Sequence, residues 1–414
     1  MRHIPSGLGK SLVLGLTAIL ALGPVSLNVL GRPTIGGRSA TFATPTIPGS
    51  ETSNRQAQAQ GEVVATDDAG VIQSVGTDRS SDQGAVPLVN RKILDFTGNG
   101  RTDWTTLGGT TGLPLTWRVL GNPANPAPGA AFIRIFDYGI VGTDAIRPND
   151  YKGDAKSEVT VRRTDTTSML GSYYVAQFPT GSGGMMIDQV VQWGRTGDVS
   201  GAEGDYDGDG KVDYTVVRSV VTVLNWYILL SSTNTLRAVT FGATGGLTTV
   251  LLPGADYNND GRDELVFARY NAAANPAPTT WFAGDAVTGV GVDTTTFGDF
   301  QTMNAMPPAD YTGDGRADLM EVKLDGATLI WYLRNTATGA VTATSFGVGD
   351  PNFLTFDFPV RGDYDGDGRH DIAVWRPDTQ TYYVLQSGAL PNISIVAQQW
   401  GVLDDTPIAA LGTF

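Results

Sequence analysis

An all-β fold, a β-propeller, is predicted from three features of the sequence. A nine-residue phrase recurs six times: DFTGNGRTD at 95–103, DYKGDAKSE at 150–158, DYDGDGKVD at 205–213, DYNNDGRDE at 256–264, DYTGDGRAD at 310–318 and DYDGDGRHD at 363–371. Successive phrases begin 55, 55, 51, 54 and 53 residues apart. An aromatic residue followed by Gly keeps step with them, at Tyr138-Gly139, Trp193-Gly194, Phe241-Gly242, Phe297-Gly298, Phe346-Gly347 and Trp400-Gly401. Between these markers lie short runs of β-branched and aromatic residues without helical period, as in 371–375, 381–385 and 394–397. About four such strands fit each unit, the content of one propeller blade.

The composition agrees with a large folded body. The chain has 414 residues, with 53 Gly and 22 Pro, rich in turns but short of a disordered or collagenous composition. Eight Trp, 14 Tyr and 15 Phe supply large apolar groups to bury. The absence of Cys excludes disulfides, thiolate zinc sites and Cys nucleophiles. Two histidines, His3 and His370, leave few parts for a Ser-His-Asp relay or a His-based zinc site. A net charge of −14 disfavours nucleic acid and anionic membrane surfaces as partners.

The first 31 residues read as an export signal. Arg2 and Lys10 precede an uncharged stretch over 11–31 whose densest apolar run is 12–22. Such a stretch is long enough to span a bilayer, but Gly15, Gly23, Pro24 and Asn28 interrupt it, which favours a signal over an anchor. A secreted or cell-surface location follows. Residues 32–60, rich in Gly, Pro, Thr, Ser, Ala and Gln, read as a linker, and 61–414 as the propeller.

Seven blades are favoured over six. After the last aromatic-Gly pair, 406–411 resembles the first strand of a new blade, while 62–66 and 71–76 resemble third and fourth strands. Joining both termini in a seventh blade would close the ring and remove its open edges.

The six loops are written for a hard cation. Acidic residues fall at positions 1, 3, 5 and 9, and Gly at position 6 lets the backbone fold back. The third loop has Asp205, Asp207, Asp209 and Asp213; the sixth has Asp363, Asp365, Asp367 and Asp371. Position 7 adds a carbonyl oxygen, from Arg101, Lys211, Arg262, Arg316 and Arg369. Six to eight oxygens at about 2.3–2.6 Å are the ligand set of Ca²⁺. The fourth loop keeps oxygen donors in Asp256, Asn258, Asp260 and Glu264, and the fifth in Asp310, Thr312, Asp314 and Asp318. The first, with Asp95, Thr97, Asn99 and Asp103, has fewer charges and a weaker expected affinity. The second carries Lys152 at position 3 and Ala155 at position 6, leaving Asp150, Asp154 and Glu158, so about five to six ions are expected. Lys152 either swings out or places its ammonium where the ion would sit. Positions 1, 3, 5 and 9 of the loops hold 19 of the 42 acidic residues, so the chain's negative charge is concentrated in them.

These phrases and the Phe-Gly pairs at 241, 297 and 346 resemble the FG-GAP/VCBS-type repeat family, which includes the propellers of integrin α chains. The resemblance covers about residues 62–414. It implies a calcium-binding propeller used in extracellular adhesion, carbohydrate binding or scaffolding. A non-enzymatic module that recognises a protein or glycan is the leading expectation; a self-assembling subunit of a surface filament or layer is the alternative. A carboxylate-based hydrolase or lyase needs an acidic pair outside the loops, and none stands out. Trp117, Trp226, Trp281 and Trp331 are candidate sugar-stacking residues, although their repeated strand position favours packing between blades. The Asn-Pro-Ala-Pro segments at 125–128 and 275–278 read as rigid loops rather than contact points.

Overall fold

The computed structural model describes residues 93–122, 132–178, 185–349, 356–389 and 394–408. The expected signal and linker, the proposed seventh-blade strands at 62–66 and 71–76, the 125–128 segment and 409–414 lie outside them. No described helix is long and apolar enough to cross a membrane.

The described residues form six antiparallel sheets in a propeller. Blade 2 runs outward through Ala145–Ile146, Val159–Thr164, Leu170–Gln177 and Met186–Arg195. Blades 4, 5 and 6 repeat this order, starting from Thr248–Ala255, Met303–Ala309 and Phe358–Gly362. Blade 3 has three full strands, its inner position reduced to two bridges, Val199 with Val217 and Gly204 with Asp213.

Blade 1 corrects the seven-blade expectation. Its strands Trp104–Gly108, Pro114–Leu120 and Ile133–Ile140 take their inner partner from the chain's far end, where Thr406 and Pro407 pair with Leu107 and Thr106. The C-terminal strand therefore completes the first blade instead of starting a new one. A backbone ring around the loop face fixes the number. The position-8 amide of each loop donates to the position-1 carbonyl of the loop before it: Ser157 to Asp95, Val212 to Asp150, Asp263 to Asp205, Ala317 to Asp256 and His370 to Asp310, at 2.7–2.9 Å. Thr102 closes the circle on Asp363 at 2.8 Å. A further blade between the sixth and the first would separate that last pair.

Aromatic packing holds each blade together. Trp117, Trp226, Trp281 and Trp331 are fully buried, and each indole N–H donates to the carbonyl of its unit's aromatic-Gly residue: Tyr138, Phe241, Phe297 and Phe346, at 2.8–3.0 Å. They are core residues, with the polar tip satisfied as a buried indole requires. Around the 275–278 segment, Ala277 is buried, its amide bonded to Asp299, and Gln301 ties down the carbonyls of Ala272 and Ala274, so this is a rigid loop.

The Gly of each aromatic-Gly pair has φ between +85° and +109°. It produces a bulge in the outer strand and brings the backbone close to the next blade. Pairing accordingly slips between Thr240 and Ala243. A Cβ on Gly242 would lie 2.5 Å from the Phe267 ring, whereas one on Gly246, also at positive φ, meets nothing within 4 Å. Gly242→Ala is therefore expected to lower stability by about 2–4 kcal/mol, from left-handed backbone strain plus overpacking, and Gly246→Ala by only the backbone share of about 1–2 kcal/mol. Urea unfolding of the two variants checks the difference.

Candidate metal centre

Each loop joins the inner strand of a blade to the second, or in blade 1 leads into Trp104–Gly108, so all six loops lie on one face. Their backbones follow one plan. The position-1 carboxylate accepts amides from positions 4 and 6, as Asp205 does from Gly208 at 2.7 Å and Gly210 at 2.9 Å, and Asp363 from Gly366 at 2.6 Å and Gly368 at 2.9 Å. The position-9 carboxylate accepts the position-2 amide, as in Asp213 from Tyr206 and Glu264 from Tyr257. The position-5 side chain accepts the position-7 amide, from Asn99 with Arg101 through Asp367 with Arg369. The alternation of acids thus encodes a turn as well as a ligand set.

Three loops bring carboxylates together. Asp150, Asp154 and Glu158 form one group, Asp205, Asp207 and Asp213 a second, and Asp363, Asp365 and Asp371 a third; within each, one oxygen per residue lies within 4.8 Å of the others. Oxygens bound to one Ca²⁺ at about 2.4 Å are separated by at most about twice that distance, so these groups fit the ion. Asp209 and Asp367 stand outside the two triads, accepting the hydroxyls of Ser231 and Ser387. The loop with Lys152 is among the three. Lys152 swings out and pairs with Asp188 on the outer strand, leaving the carboxylates facing one another.

Among the described residues the other three loops form no such group: the first has only two acids, as its sequence foretells, whereas the fourth and fifth have three at positions 1, 5 and 9, as the second does, and still do not gather them. In the first, the Thr97 hydroxyl donates to Asp95 and Asp103. In the fourth, the Asn258 amide donates to Glu264 at 2.7 Å, alongside Asp256 and Asp260. In the fifth, Asn335 bridges Thr312 and Asp314, while Asp310 and Asp318 hold backbone amides.

Burial pushes the position-9 carboxyls upward, to about 7 for Asp103 and Asp213, about 8 for Glu158 and Glu264, and about 6 for Asp318 and Asp371. Neighbouring carboxylates add to the effect, Asp150 and Asp154 on Glu158, Asp207 on Asp213, Asp365 on Asp371. A cation would relieve both burdens.

Two sets of residues went unread in the sequence. Position 2 is aromatic in every loop, and Phe96, Tyr151, Tyr206, Tyr257, Tyr311 and Tyr364 are all buried, pegging the turn into the core. The signal was present in the repeated phrase itself. The position-7 cations offer more than a backbone carbonyl, because their side chains brace adjacent loops. Arg101 and Arg316 donate to the carbonyls of Tyr364 and Tyr257 in the preceding loops. Lys156, Lys211, Arg262 and Arg369 lie over Gly98, Gly153, Gly208 and Gly313, where a Cβ would be 2.4–3.1 Å away.

A cleft of about 410 Å³ opens between blades 1 and 2, beside the first two loops. Its apolar wall is Phe96, Phe132 and Phe178, with Phe96 and Phe178 stacked at 5.0 Å, and Asp154 and Lys156 supply charge at its rim. Phe132 is partly exposed, with the Arg134 guanidinium 4.1 Å above its ring.

No family model matches the chain, and no curated protein matches it. Solved structures similar in fold include an apocarotenoid oxygenase mutant from Synechocystis, 10% identical with a TM-score of 0.39, covering 75% of this chain and 74% of that one. The Dos1 propeller is 9% identical with a TM-score of 0.36, covering 74% and 90%. An exo-β-1,3-galactanase from Phanerochaete chrysosporium is 10% identical with a TM-score of 0.32, covering 73% and 88%. At these identities and scores the likeness assigns no role, and the topology of the described residues is that of a six-bladed β-propeller.

Proposed function

We propose that the chain is a secreted, calcium-stabilised propeller of the FG-GAP/VCBS type that recognises an extracellular glycan. The observation that supports calcium is the set of three carboxylate groups, each with oxygens within 4.8 Å, built on one loop plan repeated six times. Calcium is the hard cation suited to flexible all-oxygen cages, and extracellular calcium is abundant enough for weak sites. The uncharged stretch at 11–31 supports export, and the 32–60 segment a tether to the ring.

The inter-blade cleft is the ligand site of this reading. A sugar presents apolar C–H faces and hydroxyls, which suits the Phe132 ring beside Asp154, Lys156 and Asn99. A glycan array with and without calcium, beside native mass spectrometry, tests the whole reading. Calcium-dependent glycan binding, lost in Phe132→Ala, is the expected result. Large assemblies with no glycan bound would select the structural-subunit alternative, and a protein that takes up no calcium would overturn the metal assignment.

A further inference from the structure

One residue per blade, two positions before each loop, lines the cavities where the six blades meet: Ile93, Pro148, Glu203, Gly254, Pro308 and Arg361. Two of the six are charged, Glu203 in blade 3 and Arg361 in blade 6, on opposite sides of the channel. Glu203 is engaged on its own side, accepting the Tyr173 hydroxyl at 2.7 Å and the Gly201 amide at 3.0 Å, with the Arg147 guanidinium at 3.5 Å.

Arg361 has no such company. It is 6% exposed, its Nε has no hydrogen-bond partner, and no described carboxylate pairs with it. The Tyr311 hydroxyl, also buried and unpartnered, belongs to the same neighbourhood, with His370 edge-on to the Tyr311 ring at 5.6 Å. Arg361 lines a cavity of about 130 Å³ bounded by residues of all six blades and by the loop face. Burying an unpaired guanidinium costs several kcal/mol, and a Val or Pro at this position would avoid the penalty.

We infer that the central channel is a binding site for a small oxyanion, a carboxylate or an inorganic group of that size, held by the Arg361 fork. The guanidinium presents parallel N–H donors matched to two oxygens of such a group. The site lies apart from the inter-blade cleft and abuts the inner edge of the loops, with Asp256, Asp263 and Asp310 in its wall beside Glu203, and it requires no calcium in its own ligand set.

The test uses the full chain with calcium present. Sodium acetate and sodium sulfate are titrated by calorimetry against sodium chloride at equal ionic strength. Saturable millimolar binding of one or both is expected in the wild type: acetate alone assigns a carboxylate ligand, and sulfate an inorganic oxyanion. Arg361→Met should abolish the saturable heat and raise the melting temperature in low-salt buffer, because it removes an uncompensated buried charge. Arg361→Lys should keep a weaker response. No saturable heat with either anion in the wild type, or unchanged heat in Arg361→Met, overturns the inference.

Discussion

Removal of residues 402–414 is expected to be the most damaging small truncation of the chain. It deletes Thr406 and Pro407, the inner partners of blade 1, together with the buried Ile408. It also deletes Asp405, which accepts Arg118 Nη1 at 2.6 Å, the Thr106 hydroxyl at 2.8 Å and the Val402 amide at 2.9 Å. Blade 6 would still reach blade 1 through Trp400 Nε1 on the Arg118 carbonyl and Tyr382 on the Thr105 carbonyl. The strand 104–108 would nevertheless become an open edge. The point variant Asp405→Ala isolates the polar part, leaving a largely buried guanidinium without its carboxylate, and should cost about 3–5 kcal/mol. The truncation should exceed it and promote aggregation. Thermal unfolding with light scattering measures both, and a truncated chain that melts with the wild type would show that the ring does not depend on this strand.

Calcium removal is expected to have the second largest effect. A site at ten times its dissociation constant adds about 1.4 kcal/mol, so three filled carboxylate groups would add about 4 kcal/mol and shift the melting temperature by on the order of 10 °C. The pH dependence gives a sharper signature. In the calcium-free protein the position-9 carboxyls titrate near 6–8, above their unfolded values, so the folded state binds more protons than the unfolded one between about pH 4 and pH 8. Their contribution is present below that window and is lost as pH rises through it. Chelated protein should therefore melt higher at pH 5 than at pH 8, and the increment on adding calcium should be larger at pH 8. An increment that does not grow with pH would mean that these carboxyls are not the ligands.

Much of the fold was legible because the repeat writes the same constraint six times. The aromatic-Gly marker names a bulge that only Gly tolerates, and the acid alternation names a turn whose carboxylates hold specific amides. The blade number was not legible for a physical reason. A strand such as Thr406–Pro407 specifies that it will pair, while its partner is decided by ring geometry, here by Thr102 reaching Asp363. Lys152 shows the same limit at the site: the sequence offers two positions for its ammonium, and Asp188, 36 residues away, decides between them. Arg361 was invisible for a related reason, since only the assembled channel reveals that no described carboxylate pairs with it.

The closing contacts of the ring also set the order in which the molecule can be made. Thr102 and Asp363 are separated by 261 residues and Thr106 and Asp405 by 299, against the short hairpins that build each blade. Blades can form locally as the chain emerges, but loop-closure entropy makes the joining of first to last the slow, late event. Until then the partial ring carries an unpaired strand, and Thr406 and Pro407, which cover it, emerge only after blades 2 to 6.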